Sequence, residues 1–293
     1  MNLTSPSQVK AWCIENDFHP NKTLGQNFLI DQNVLKAIVD AGLEKVKSDN
    51  EEGKSADGGV SVLEIGPGLG VLTEEMLKRG CTVTAIEKDP VLAERLEKCK
   101  IENAECKIGT GDAAWSKLTV IAGDALEVLA RPSTFDLQPS TFSCMISNLP
   151  YQAGTRILLD FCERRELKVM TALVQTEVAE RLAAGPGSKT RGLAGALAQL
   201  DYDVVIVRKV SAACFWPRPE IGSRVIRLER HDRNAALSAA ERRAFKILVK
   251  RGFEQRRKQL GSIFRDLIQS SARAEELSNE DWVMLAKALS DKL

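Results

Sequence analysis

Two histidines, His19 and His231, are all that this chain of 293 residues contains. That scarcity argues against chemistry built on an imidazole base or on a metal held by imidazoles. None of the seven cysteines, at positions 13, 81, 99, 106, 144, 162 and 214, belongs to a Cys-x-x-Cys pair. Reduced, mainly buried thiols are expected, not zinc ligands or bridges, and no metal site is expected at all. No apolar run approaches the length of a membrane span, and the N-terminus lacks the charged–apolar–small pattern of a signal. The expectation is a cytoplasmic protein with no membrane partner. A surplus of one charge is also missing. Lys plus Arg number 41 against 40 Asp plus Glu, which argues against a uniformly basic nucleic-acid binder.

What is present is local. Between Arg208 and Lys258 stand fifteen Lys/Arg and five Asp/Glu, a basic region fit to meet phosphates, with a solvated helix face as the bland alternative. The chain is organised around Val60–Gly70, Val-Ser-Val-Leu-Glu-Ile-Gly-Pro-Gly-Leu-Gly. A short β-branched run breaks into three alternate glycines, and a helical pattern follows to Arg79. Glycines let the backbone turn sharply and approach a ligand closely, and the helix start behind them offers free N–H groups. The next apolar run ends at Glu87, a carboxylate placed to accept both hydroxyls of a ribose.

The remaining segments alternate. Ser5-Pro6-Ser7-Gln8 reads as a capped helix start with a capping box, for a helix to Asn16. Asp31 is placed to cap a helix over 32–41. Polar loops are expected at 47–59, 106–116 and 131–140. Strands are expected at 117–122, 141–146, 167–174, 204–210 and 224–228, with helices after Asp89-Pro90 and at 155–163, 177–183 and 193–200. A Gly-rich loop, 185–192, carries Lys189 and Arg191; it is fit either to close over a target or contact phosphate, or to be a plain mobile surface loop. Strands alternating with helices imply a doubly wound, mostly parallel sheet. The last two strands leave no room for a crossover helix, so the final one is expected to be antiparallel. From Ser238 on the pattern is wholly helical. The expected fold is therefore α/β, with a catalytic domain at 1–235 and a small helical domain at 236–293.

Glu87, Asp124 and Asn148 fall at the carboxyl ends of successive strands, the edge where open α/β sheets bind ligands. Asp124, preferred over Asp112 because a longer apolar strand leads into it, is placed to accept from an adenine amino group. Asn148-Leu149-Pro150-Tyr151 resembles the signature of methyltransferases that modify exocyclic amino groups. Adenine's amino nitrogen is a poor nucleophile because its lone pair is delocalised into the ring. Hydrogen bonds from that nitrogen to the Asn148 amide oxygen and to the carbonyl of Leu149 or Pro150 favour a pyramidal nitrogen with its lone pair free. Pro150 fixes the turn, and Tyr151 offers a face for the base to stack on. Phe215, in Phe-Trp-Pro-Arg-Pro, is the preferred second stacking surface, with a core aromatic in a loop as the alternative.

Together with Lys22–Asp31 (Lys-Thr-Leu-Gly-Gln-Asn-Phe-Leu-Ile-Asp), Glu64–Gly70, Gly123-Asp124-Ala125 and Phe215–Ser223, this motif resembles the small-subunit ribosomal RNA adenine N6,N6-dimethyltransferases over about residues 5–265. The resemblance implies a Rossmann-like class I methyltransferase fold with S-adenosylmethionine as cofactor. It implies two methylations on each of two adjacent adenosines near the 3′ end of 16S rRNA. It implies donor contacts from Gln26, Asn27, Leu29, Gly66, Gly68, Glu87, Lys88, Asp124, Ala125 and Asn148. Phosphate contacts would come from Arg242, Arg243, Lys246, Lys250, Arg251, Arg256, Arg257 and Lys258. The expected partner is small-subunit rRNA or a preribosomal 30S particle, met by a monomer. The alternatives are a large-subunit enzyme of the macrolide-resistance type and a non-catalytic RNA-binding descendant of the fold. A nicotinamide dehydrogenase is the weaker option, since no Tyr-x-x-x-Lys constellation is evident.

Overall fold

A computed structural model describes residues 3–21, 24–48, 59–105, 112–130 and 142–292. The elements in order are α1 (Pro6–Glu15), β1 (Phe28–Leu29), α2 (Gln32–Ser48), β2 (Ser61–Ile65), α3 (Val71–Lys78), β3 (Thr82–Glu87) and α4 (Pro90–Glu105). Then come β4 (Leu118–Ala122), α5 (Ala125–Ala130), β5 (Cys144–Asn148), α6 (Gly154–Arg164), β6 (Val169–Gln175), α7 (Thr176–Ala183) and α8 (Leu193–Ala198). The chain closes with β7 (Tyr202–Val210), β8 (Phe215–Trp216), β9 (Ser223–Arg230), α9 (Ala239–Glu254), α10 (Leu260–Phe264) and α11 (Asn279–Leu289).

Seven strands form one sheet in the order β4-β3-β2-β5-β6-β9-β7. All pairs are parallel except those of β9, which runs antiparallel to both neighbours. The late antiparallel strand is thus as expected, inserted between β6 and β7. Strand order reverses between β2 and β5, and ligands of doubly wound sheets bind in the crevice at such a reversal. Side chains reinforce this seam, where the ladder registers few pairs. Ser143 Oγ accepts from Ser61 N at 3.1 Å and Ser147 Oγ from Ile65 N at 2.9 Å.

One sheet face packs on α2 and α3 through Val34, Ile38, Val39, Leu72 and Met76. The other packs on α5, α6 and α7 through Leu129, Ile157, Phe161, Ala179 and Leu182. Gly42 lets α2 lie close on the sheet: a Cβ there would sit 2.5 Å from Ile146 Cδ1. A third core joins Phe245, Leu248, Val249, Trp282 and Ala286 of the C-terminal helices to Ala196 and Leu200. Cysteine burial follows the expectation for Cys13, Cys81, Cys144 and Cys162, while Cys99 and Cys214 are half-buried; none of these six is in a disulfide.

Several local expectations are corrected. Pro6 opens α1, but Ser5 caps nothing: its hydroxyl meets that of Ser7 at 2.9 Å. Asp31 does cap α2, accepting from Asn33 N and Val34 N at 2.9 Å each. That helix continues past Ala41 to Ser48 because Leu43 is also buried against the sheet. Asp112–Lys117 is a 3-10 helix where a loop was expected to Ser116 and a strand from Lys117. Positions 49–58, 106–111 and 131–140, where the rest of the polar loops was expected, lie outside the described residues, as does 141, the expected start of a strand. The two-residue strands β1 and β8 form a separate antiparallel ribbon, too short to leave any periodicity in the sequence.

Candidate active site

The three glycines of the β2–α3 turn, Gly66, Gly68 and Gly70, have φ of +66°, +58° and +80°. This left-handed region is open to glycine and costly for other residues, which explains their spacing. A cleft over the turn is lined by Gln26, Asn27, Leu29, Gly66, Gly68, Glu87, Lys88, Asp124, Ala125 and Asn148, and by Leu149, Pro150 and Tyr151. Every expected donor contact therefore faces one cavity at the carboxyl edge of the sheet.

Glu87 ends β3 and is nearly buried, at 6% exposure. Its Oε2 accepts from Gly68 N at 2.9 Å and its Oε1 from Asp89 N at 2.8 Å. Burial raises its pKa, opposed by those backbone N–H groups. A carboxylate has about four lone-pair sites, so these bonds leave it acceptor capacity for a diol. Asp124 follows β4, accepts from Leu126 N at 2.9 Å at the start of α5, and meets Lys88 Nζ at 2.8 Å. The lysine holds its carboxyl below the usual value.

The N-terminal motif wraps the Asn148 turn. Gly25 (φ +66°) approaches so closely that a Cβ there would sit 3.2 Å from Tyr151 N. Gln26 Nε2 donates to Asp89 Oδ2 at 2.7 Å. Asn148 Nδ2 donates to the Asn27 carbonyl at 3.2 Å. That bond turns the amide so that Oδ1 remains as an acceptor. Pro150 O is already taken, by Ala153 N at 3.1 Å and Gly154 N at 2.8 Å as α6 begins. Leu149 O accepts no hydrogen bond among the described residues. Of the two carbonyls weighed from the sequence, the one left open is that of Leu149. Tyr151 Oη lies 2.8 Å from Ser223 Oγ, and its phenol pKa is raised by burial.

Phe215 is a correction. It is 2% exposed and packs in the core with Leu29, Val210 and Val225, outside the cleft. In β8 it pairs with Leu29, and strand alternation turns it inward. Phe28 lines the cleft beside Tyr151: a Cβ on Gly68 would meet its ring at 3.3 Å. Arg191 is a second correction. It is 1% exposed and donates to Ala184 O at 2.9 Å, Gln199 Oε1 at 3.2 Å and Asn279 Oδ1 at 2.7 Å. It ties its loop to α11 and offers nothing to phosphate.

The basic C-terminal residues divide. Arg242 clamps Asp201 with bonds of 2.7 and 3.1 Å, Lys246 pairs with Glu163, and Arg256 pairs with Glu275 at 2.7 Å. Arg251 lies 5.9 Å over the Phe264 ring, and Lys258 donates to Gln255 at 2.9 Å. Arg243, Lys250 and Arg257 are exposed, with no partner among the described residues.

Sequence reasoning gave Glu64 no role of its own. It is 1% exposed and lines the cleft; its Oε2 accepts from Thr73 Oγ1 at 2.6 Å, while Oε1 has no partner. Burial, opposed by the Thr73 bond, lifts its pKa to about 8. Its place just before the first turn glycine was the available signal. The groups left open (Glu64 Oε1, Glu87, Asn148 Oδ1 and Leu149 O) suit a nucleoside donor with a cationic end and a diol.

Comparison with known proteins agrees with this geometry. The model of the family described as ribosomal RNA adenine dimethylase matches residues 17–290. A ribosomal RNA small subunit methyltransferase A of Mycobacterium bovis is 34% identical, covering 98% of this chain and 88% of the relative. The protein of that name from Deinococcus radiodurans is 40% identical, covering 78% of this chain and 67% of the relative. Among solved structures, a dimethyladenosine transferase from Plasmodium falciparum superposes with a TM-score of 0.69 at 21% identity, covering 90% of this chain and 98% of that one. The 23S rRNA methyltransferase ErmE gives a TM-score of 0.61 at 21% identity, covering 90% and 99%.

Proposed function

Because the chain belongs to the ribosomal RNA adenine dimethylase family, we propose that it transfers methyl groups from S-adenosylmethionine to N6 of adenosines in small-subunit rRNA, two per base, at two adjacent positions. The observation that carries this reading is the pair of open acceptors, Asn148 Oδ1 and Leu149 O, at the carboxyl edge of β5. Two acceptors aimed at one amino group hold both N–H bonds and leave the lone pair for the incoming carbon. Asn27, through its carbonyl, sets the amide of Asn148. Tyr151, held by Ser223, offers the base a face.

Glu87 would hold the donor's ribose, Asp124 its adenine amino group, Glu64 its cationic end and the glycine turn its backbone. The donor supplies an electrophilic methyl on a sulfonium. Nothing in this scheme needs a strong base, because the methylated nitrogen is acidic enough to lose its proton to water.

The C-terminal helices from residue 236 supply the rRNA-binding domain in this reading. Arg243, Lys250 and Arg257 meet phosphates; Arg242 holds Asp201 instead. The substrate is a preribosomal small-subunit particle met by a monomer in the cytoplasm. Among the described residues no helix is long and apolar enough to cross a membrane.

The test is transfer of labelled methyl from S-adenosylmethionine to unmethylated small-subunit particles and, in parallel, to large-subunit RNA. Label in the small-subunit RNA is the expected result; label confined to large-subunit RNA overturns the reading.

A further inference from the structure

Adenine buried in an RNA stack cannot bring N6 to Asn148; the base must leave the stack, and something must take its place. The turn between β8 and β9 carries Ile221, an aliphatic side chain left 50% exposed. Single exposed aliphatics are ordinary, but the attachment of this one is not. The residue after it, Gly222, is fixed through its carbonyl by Thr176 N at 3.0 Å and Thr176 Oγ1 at 2.8 Å. The next, Ser223, meets Tyr151 Oη at 2.8 Å. Ile221 thus stands on a turn pinned both to the start of α7 and to the Asn148 motif itself.

Its surroundings suit RNA. Val210 pairs with Ser223 at the end of β7, which brings Arg208 and Lys209 to the same corner of the sheet. These two and Arg218 are exposed and form no ion pair among the described residues, Arg208 lying near the Cys214 thiol; Glu220 is the one carboxylate on the turn. Resting on the function proposed above, we infer that Ile221 is the wedge that fills the stack vacated by the target adenosine. Arg208, Lys209 and Arg218 hold the phosphates of the flanking nucleotides. The occupant of this corner is the rRNA strand on either side of the flipped base. The turn joins the candidate active site through the contact of Ser223 with Tyr151.

The experiment uses the full-length protein and small-subunit particles carrying 2-aminopurine at a target adenosine, with S-adenosylhomocysteine present. Emission rises when that base unstacks, whether or not methyl transfer follows. Ile221→Ala is expected to melt and to bind S-adenosylhomocysteine as the parent does, yet to give about a fivefold smaller rise at saturating particle and about a tenfold lower kcat on unmodified particles. Ile221→Leu restores both. Arg208→Ala with Arg218→Ala is expected to raise KM and leave the saturated emission unchanged. A full rise with Ile221→Ala overturns the wedge, as does methyl transfer by the parent protein without any rise. Absence of methyl transfer by the parent protein instead overturns the function on which the inference rests.

Discussion

At the scale of single residues, Asn148 and Glu87 lie in one cleft with separate tasks. In the proposed function Asn148 Oδ1 faces the reacting nitrogen, so Asn148→Ala is expected to leave the donor Kd nearly unchanged and to lower kcat by about 10²–10³, the cost of losing one preorganised polar contact. Glu87→Ala is expected to do the reverse, weakening the donor Kd measured by calorimetry. Equal loss of affinity and rate in Asn148→Ala would contradict its assignment. Glu64 links the site to pH. Burial lifts its carboxyl from 4.5 to about 8, while the unfolded chain releases that proton at the ordinary value. Between these limits the folded protein binds more protons than the unfolded one. The contribution of Glu64 to stability without donor is therefore constant below about 4.5 and falls as pH rises from there to about 8. Denaturant unfolding across the window is expected to show this slope, flattened by Glu64→Gln.

At the scale of elements, the legible features were those with local cause. Alternating apolar runs marked the seven strands, and Asp31 and Asp89 announced their helices, Asp89 accepting from Val91 N at 3.0 Å. The illegible features were tertiary. Phe215 and Arg191 sit in segments whose composition suggests exposure, yet one is buried by the β1–β8 ribbon and the other by α11. Nothing within several residues of either predicts a partner more than eighty positions away, as Asn279 is from Arg191. The same residue gives a test at this scale. Arg191→Leu strips Asn279 Oδ1 of its donor and breaks the tie between the 185–192 loop and α11. A loss of about 2–4 kcal/mol is expected in urea unfolding, with the donor Kd unchanged. A variant as stable as the parent would show the buried guanidinium to be idle.

At the scale of the whole molecule, the near-zero net charge conceals a division of labour. Many basic side chains of the C-terminal region are spent on carboxylates, rings and carbonyls of the fold, Arg242 on Asp201 and Arg256 on Glu275 among them. The sequence marked the basic region but not which of its cations remain free, because pairing is decided by residues distant in the chain. Replacing Arg243, Lys250 and Arg257 together with Ala is expected to weaken particle binding and to reduce the log–log salt slope by about 2–3. Arg242→Ala is expected to cost stability first. An unchanged slope in the triple variant would place the RNA elsewhere.

The central claim joins the open acceptors at Asn148 and Leu149 to dimethylation of neighbouring adenosines. Mass analysis of nucleosides and of RNase fragments, after unmethylated small-subunit particles have reacted with S-adenosylmethionine, tests it most directly. The account predicts two N6,N6-dimethyladenosines on adjacent positions of the small-subunit rRNA. A product methylated on another base, or on adenosine at an atom other than N6, would contradict it.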